Sequence, residues 1–291
     1  MFSQNAQNFI YGALDPLYRE LKNDNIVNGT VEIINASLRF NPAEDMIMDL
    51  GTHRKGQHKY AENELKWYLS KDRSIKGHPG IEENKIWSII CSDNGMINSN
   101  YGWCVFSPEN GDGRHLMFEN IKDKSGKSQY DFAIQQLKEK PLGRQSIIFY
   151  ARPSIQWEWN DGIHAKSDFI CTINTQHFIR NNKLDYIVNM RSNDAIMGLH
   201  AADLPWHSYV YNKMLDDINN YIVANEAQHF EETGEKINIP LIKPGTMYWN
   251  AASLHVYERH FDLLTKIVEE YREWNRKMYG PCRCAKDCIG E

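Results

Sequence analysis

An α/β fold is what this sequence predicts, and three observations carry it. Near the start, Phe9, Ile10, Ala13, Leu14, Leu17, Tyr18 and Leu21 recur at helical spacing. In the middle, two strand-like runs, Asp168–Arg180 and Leu184–Arg191, flank Asn181-Asn182-Lys183, a polar turn of the kind that closes a hairpin. Soon after comes a second helical stripe of Trp206, Tyr209, Val210, Met214, Ile218, Tyr221 and Ile222. No linker, repeat or low-complexity run divides the 291 residues, so residues 1–291 are expected to form one domain. A chain of that length buries a sizeable core.

The elements follow in order. The first stripe predicts a helix over 5–22, and Asn28-Gly29 a turn into an alternating strand, Thr30–Phe40. Thr52-His53-Arg54-Lys55 is a basic loop ahead of a helix over Lys59–Leu69. A turn around Gly77–Gly80 precedes Trp87, and Asn98–Gly102 reads as a tight loop carrying Tyr101. Residues 107–127 are a polar, Gly-rich excursion. Ser128 caps a helix running to Lys138, with Tyr130, Ala133, Ile134 and Leu137 on one face. Arg144 opens a short strand to Tyr150. The second stripe gives a helix over Leu204–Ile222, and residues 224–240 read as a polar insertion. Strand-like Gly245–Asn250 and Ser253–Tyr257 lead to a last helix bearing Leu264, Ile267, Val268, Tyr271 and Trp274. The tail from about 279 to 291 is expected to be flexible.

Bulk properties exclude several classes. A net charge of -5 argues against a nucleic-acid groove. The first residues lack the basic and apolar regions of a signal peptide, and no apolar run reaches membrane-spanning length, so a cytoplasmic protein is expected. The six cysteines are expected to be free thiols. Cys282, Cys284 and Cys288 crowd into the tail without a CxxC pair or a nearby His, so no metal is expected.

The chemistry-bearing residues converge on the central hairpin. It brings Cys171, a thiol, toward the guanidinium, hydroxyl and carboxylate of Arg191, Ser192 and Asp194. The series Cys171, Gln176, Arg191, Ser192, Asp194 and Gly198 resembles the thymidylate synthase superfamily. The runs Val188–Asp194 and Ser253–Tyr257 are similar to its phage deoxycytidylate hydroxymethylase branch. Glu64–Tyr68, Lys85–Trp87, Asn98–Trp103 and Tyr150–Ser154 fall in family order, so the likeness covers roughly residues 25–265. There are departures. Thr172 stands where thymidylate synthases have a His, Met190 replaces a Gln, and Asn25 and Gln145 replace two phosphate-binding arginines.

The resemblance implies a large mixed sheet flanked by helices, dimerising sheet to sheet. It implies one-carbon transfer from 5,10-methylenetetrahydrofolate to C5 of a pyrimidine nucleoside monophosphate. Pyrimidine C5 is a poor nucleophile until a thiolate adds at C6, so Cys171 is the expected covalent catalyst, its pKa lowered by Arg191. By resemblance Glu64 organises water and relays protons, as suits a carboxyl with a raised pKa. Tyr101 or a bound water removes the C5 proton. Arg191 and Ser192 hold the phosphate, with Arg144 donated across the dimer and Arg152 as a helper. Gln176 belongs to the substrate set, and His255 and Tyr257 meet the sugar 3′-hydroxyl. Trp87 lines the folate site, Asp194 holds the pterin, and Arg54 and Lys55 lie near the glutamate tail.

Base choice turns on Asp203. In the uracil-specific members an asparagine stands eight residues after the aspartate of Arg-Ser-x-Asp; the cytosine-specific phage enzymes have an aspartate there. Here the eighth residue is Ala202 and the ninth Asp203, as if one residue were inserted. Asp203 is read as the cytosine reader, and the rival reading makes it the cap of the helix beginning at Leu204. The expected reaction is hydroxymethylation of dCMP by water addition to an exocyclic methylene. The alternatives are a CMP or dUMP hydroxymethylase, a pyrimidine nucleotide methylase, a cysteine hydrolase pairing Cys171 with His177, and a non-catalytic nucleotide-binding homologue.

Overall fold

The computed structural model describes residues 2–108 and 126–280. The expected N-terminal helix forms as α1 (Gln4–Phe9), one π-helical stretch (Ile10–Leu14) and α2 (Asp15–Lys22). Ser3 caps it, accepting from Ala6 N at 3.1 Å, and Phe9, Ile10, Ala13, Leu14 and Leu17 are buried along one stripe. Asn28 and Gly29 both take the left-handed conformation (φ 51° and 72°). That turn launches β1 (Thr30–Phe40), whose limits are those the alternation predicts.

Helices α3 (His58–Ser70), α4 (Lys85–Ile90) and α5 (Tyr101–Phe106) come next. Tyr101 is thus the first residue of a helix rather than part of a loop. Asn100 caps it, accepting from Trp103 N at 2.7 Å. Gly102 lets α5 lie on α3, because a Cβ there would stand 1.7 Å from Tyr68 O. Ser128 and Asp131 form the capping box of α6 (Gln129–Glu139), followed by β2 (Ile147–Phe149) and the short α7 (Ile155–Glu158).

The central hairpin is β3 (Thr172–Arg180) and β4 (Lys183–Met190). Its loop is Asn181-Asn182, both left-handed (φ 51° and 56°), which matches the twist of the strands it joins. Cys171 lies one residue before β3 instead of on it. A short β5 (Asn193–Asp194) leads into nine residues of π-helix, Ala195–Asp203, and then α8 (Leu204–Thr233). α8 consumes most of the stretch read as an insertion. Trp206, Val210, Met214, Ile218 and Ile222 are buried on it as expected, Tyr221 is 38% exposed, and Tyr211 is buried although outside the predicted stripe. The two C-terminal strand-like runs are one strand, β6 (Lys243–Tyr257), and α9 (Phe261–Tyr279) buries Leu264, Ile267, Val268 and Tyr271.

The strands make one six-stranded sheet, ordered β1-β6-β4-β3-β2, with β5 also on β6. β4 and β5 run parallel to β6, and the remaining pairs are antiparallel, so the sheet is mixed. One face, with Leu184, Tyr186, Val188, Trp249 and Met247, is buried in the core. The other carries a polar ladder across four strands. Ser37 Oγ donates to Asn250 Oδ1 (3.1 Å), Asn250 Nδ2 to Asn189 Oδ1 (3.1 Å), and Asn189 Nδ2 to Asn174 Oδ1 (2.9 Å). The residues read as a tail and as an excursion, including Cys282, Cys284 and Cys288, lie largely outside the described residues. No helix among the described residues is long and apolar enough to cross a membrane.

Candidate active site

Asp168 opens the site. Its buried carboxylate accepts from Asn98 N (2.6 Å), Ser99 N (2.7 Å) and Ser99 Oγ (2.5 Å). These bonds tie the segment before Cys171 to the segment before Tyr101, so two distant parts of the chain are held in register. Burial raises the Asp168 carboxyl, and the same bonds pull it back.

Cys171 is joined to the start of the next element by Arg191 N, which donates to Cys171 O at 2.9 Å. The Arg191 guanidinium folds back over this segment. Its Nε donates to Ile170 O (3.0 Å), its Nη2 lies 3.6 Å from Cys171 Sγ, and its plane covers the Phe169 ring at 4.7 Å. The arginine therefore stands beside the thiol as expected, but it does not prevail. Burial pushes the thiol up to about 12; Arg191 pulls downward while Asp203 and Asp168 add to the rise. The expectation of a lowered thiol pKa is corrected for the ligand-free protein, because desolvation outweighs one guanidinium.

Behind the thiol is a buried acid–phenol chamber. Glu64, only 2% exposed, is flanked on α3 by Tyr60 and Tyr68, one turn either side. Tyr60 Oη donates to Glu64 Oε1 (2.7 Å) and accepts from Trp87 Nε1 (3.2 Å). Burial raises the Glu64 carboxyl to about 8, against the bond from Tyr60. Glu64 is therefore an acid at neutral pH, as the expected raised pKa requires. Tyr101 stacks on Tyr68 at 5.3 Å, bonds to Thr172, and feels both Asp203 and Cys171. Burial raises its phenol well above 10, so Tyr101 is a neutral hydrogen-bonding group and not a phenolate base.

Asp203 closes the chamber. Its side chain makes no capping bond to α8. Instead Oδ2 accepts from Asn193 Nδ2 at 2.7 Å, and burial lifts the carboxyl to about 6. The helix-cap reading is thereby overturned. The π-helical winding before it explains the apparent inserted residue, since a π-helix absorbs one more residue than an α-helix would.

Toward the sheet, β5 sets Asp194 opposite His255 on β6. Asp194 Oδ1 accepts from Ile196 N (2.8 Å) and Met197 N (3.1 Å), and Arg259 stands 3.6 Å from its Oδ2. Arg54 reaches the same place, with Nη2 on Ile196 O at 3.4 Å. His255 packs against Tyr257 at 5.0 Å, and burial lowers its imidazole pKa, which keeps it neutral. Ser192 is half-buried at the start of this cluster. Lys55 turns away to Asp49 (2.9 Å).

Other expected residues do not join it. Arg144 is exposed beside the edge strand β2, and its carbonyl accepts from Gln176 Nε2 at 2.9 Å. Among the described residues no hydrogen bond links either to Cys171. Arg152 pairs with Glu158 (2.5 Å) and donates to Asn98 Oδ1 (2.7 Å), while its Nη1 is buried without a hydrogen-bond partner. Asn25 donates to Glu20 Oε2 (2.7 Å). His177 is buried between Ser146 Oγ (2.9 Å) and Thr175 Oγ1 (3.1 Å). A bulge between Thr172 and Asn174 breaks the alternation that would have set it beside Cys171, and a hydrolase pair is excluded.

Four residues escaped the sequence reading: Tyr60, Tyr68, Asn193 and Asp168. The tyrosines had a signal, their spacing of four on either side of Glu64. Among the described residues no group of three or more His, Cys, Asp or Glu is arranged to hold a metal ion.

Comparison with known proteins comes to the same place. The family model described as thymidylate synthase matches residues 18–229. The deoxycytidylate 5-hydroxymethyltransferase of Enterobacteria phage T4 is 37% identical over 206 residues, covering 70% of this chain and 69% of that one. The thymidylate synthase of Bacillus mojavensis is 27% identical over 247 residues, 82% of this chain and 71% of that one. Among solved structures, thermostable thymidylate synthase A from Bacillus subtilis superposes with a TM-score of 0.51 at 21% identity, over 88% of this chain and 84% of that one.

Proposed function

The chain belongs to the thymidylate synthase family, and from that premise we propose that it transfers a one-carbon unit to C5 of dCMP, giving 5-hydroxymethyl-dCMP. The observation that carries the cytosine reading is Asp203, a buried carboxyl free of any capping duty and facing the chamber of Glu64 and Tyr101. A carboxyl accepts from the cytosine N4 amino group and, when protonated, donates to N3. It repels O4 of uracil.

The one-carbon donor is 5,10-methylenetetrahydrofolate, which supplies the methylene group. The residues present suit it. Trp87 and Ile86 offer a part-exposed apolar edge, Asp194 an acceptor, and Arg54 Nε and His260 Nδ1 are buried without a partner.

The chain's own residues divide the work. Addition of the Cys171 sulfur to C6 moves the ring's 5,6 electron pair onto C5, which bonds to the one-carbon unit. Loss of the C5 proton and departure of tetrahydrofolate leave an exocyclic methylene. The sulfur leaves C6 once water has added to it, restoring the 5,6 double bond. Arg191 is the group beside the sulfur that favours thiolate over thiol. Tyr101, kept neutral, hydrogen-bonds the water that takes the C5 proton. Glu64, protonated at neutral pH and oriented by Tyr60, positions the water that adds to the exocyclic methylene. Arg191 and Ser192 hold the phosphate, and His255 and Tyr257 the sugar.

Tritium release from [5-³H]dCMP, [5-³H]CMP and [5-³H]dUMP, with and without methylenetetrahydrofolate, tests this, with product mass read on the same samples. Folate-dependent release from dCMP with a hydroxymethyl mass is expected. Release from none of the three sinks the proposal in favour of a non-catalytic nucleotide binder.

The same reading places two chains sheet to sheet. Exposed Arg144 and the polar ladder of Asn174, Asn189 and Asn250 lie outside the single-chain site, where a second subunit would meet them. Mixing Cys171→Ala with Arg144→Ala subunits should restore activity through mixed dimers. Two inactive proteins that stay inactive when mixed would reject the shared site.

A further inference from the structure

Asp203 is clamped on one oxygen. Oδ2 accepts from Asn193 Nδ2 at 2.7 Å, and among the described residues no hydrogen bond reaches Oδ1. Asn193 Oδ1 accepts in turn from Trp249 Nε1 at 3.0 Å. An indole N–H only donates, so it settles which end of the Asn193 amide is oxygen. The nitrogen end must then face Asp203. A donor at Oδ2 favours that oxygen as the carbonyl of a protonated carboxyl, which leaves the hydroxyl on Oδ1.

We propose that Trp249 and Asn193 are positioning residues that select cytosine over uracil, by fixing Oδ2 of Asp203 as the acceptor for the N4 amino group and Oδ1 as the donor to N3. This rests on the reading of Asp203 as the residue that meets the base edge. Were the Asn193 amide reversed, its oxygen would call for a proton on Oδ2. The hydroxyl would then be spent on Asn193, and Oδ1, left as an acceptor, would meet N3 of cytosine lone pair to lone pair while suiting the N3–H of uracil. One indole N–H, remote from the base, therefore decides the hydrogen-bonding pattern presented to it.

The surroundings keep the relay rigid. Asn193 is 2% exposed and Trp249 fully buried. Trp249 is wedged edge-on against His207 (5.3 Å) and Phe40 (6.4 Å). Gly198 makes the space for the clamp, because a Cβ there would stand 2.9 Å from Asn193 Nδ2 and 3.1 Å from Asp203 Oδ2. The titratable groups around Asp203 are Asp194 from β5, Tyr60, Glu64 and Tyr68 from α3, Tyr101 from α5, and Cys171. None of them offers Oδ2 a second fixed donor.

The test is kcat and KM for dCMP and dUMP in Trp249→Phe, Asn193→Ala and Asp203→Asn, alongside the unaltered enzyme. A merely structural lesion lowers both substrates together. The relay predicts that Trp249→Phe and Asn193→Ala cut the dCMP to dUMP ratio of kcat/KM by about ten- to hundredfold, chiefly through dCMP. An unchanged ratio in either folded variant overturns the relay. If Asp203→Asn also leaves the ratio unchanged, the underlying reading of Asp203 fails as well; if it alters the ratio, only the relay is lost. The two relay variants break different links, and Trp249→Phe keeps an aromatic ring in the core, so loss of folding in one leaves the other to decide.

Discussion

A thiol placed beside a guanidinium is commonly read as reactive, and Cys171 shows why distance alone does not decide it. Arg191 approaches Sγ to 3.6 Å, yet burial and two carboxyls hold the thiol up at about 12. In the ligand-free protein the Cys171 thiol is therefore protonated at neutral pH. Iodoacetamide at pH 7.5 should alkylate Cys171 at least about tenfold more slowly than a free cysteine of ordinary pKa. Mass spectrometry of the peptide over time checks this, and fast alkylation at Cys171 would mean that the guanidinium wins after all. Glu64 works in the opposite sense. The same burial that disarms the thiol gives Glu64 a proton to hold at neutral pH. One chamber thus holds a protonated carboxyl and a protonated thiol at neutral pH.

Among the elements, close approach of α5 to α3 is what delivers Tyr101 to the thiol. Gly102→Ala would drive a methyl into the Tyr68 carbonyl, 1.7 Å away and part of a helix backbone that cannot step aside. Overpacking of this kind costs about 3 kcal/mol, so Tm should fall by about 5 °C, with activity lost in the fraction that still folds. A Tm within a degree of the parent would show that α5 is free to shift. This contact is invisible in the sequence, where Gly102 reads as part of a loop. The legible elements were those whose signal is local. The alternation of Thr30–Phe40, the Asn181-Asn182 turn and the Ser128 cap are each carried by residues a few positions apart. The length of α8 was underestimated because its last three turns bury no stripe, leaving only a polar run. Cys171, Glu64, Asp194 and Asp203 were legible through their spacing and through resemblance. The winding of Ala195–Asp203 was not, because π-helix and α-helix share the same composition. Hence the ninth-place aspartate looked like an insertion, and its orienting partner Asn193 was passed over as a spacer.

At the scale of the whole molecule, burial shifts His177, His200, His207, Glu64 and Asp203 each toward its uncharged form. Burial pushes His177 and His207 down to about 3 and His200 to about 4, while it lifts Glu64 to about 8 and Asp203 to about 6. The signs oppose. In the unfolded chain each histidine takes up a proton below about 6.5, which the folded core refuses. Their contribution is complete above that pH and is lost as pH falls toward the folded values. The carboxyls bind protons more tightly when folded. Their contribution is complete below about 4 and is lost as pH rises through 6 and 8. Stability follows the difference in bound protons between the two states. From about pH 4.5 to 6 the three histidines outweigh the two carboxyls by one proton, and above about 6.5 Glu64 alone keeps a proton the unfolded chain has lost, so stability should crest near about pH 6.5 and fall with similar slopes on either side. Tm by calorimetry from pH 4 to 9 reads this directly. Glu64→Gln removes the largest alkaline contribution and should flatten that limb, moving the crest upward in pH and steepening the acid limb, where Glu64 had offset one histidine. A parent protein whose Tm falls steadily from pH 4.5 to 7 would mean that the three histidines take up protons in the folded state as readily as in the unfolded chain, leaving only the carboxyls to set the slope, and their burial against the sheet would have to be redrawn.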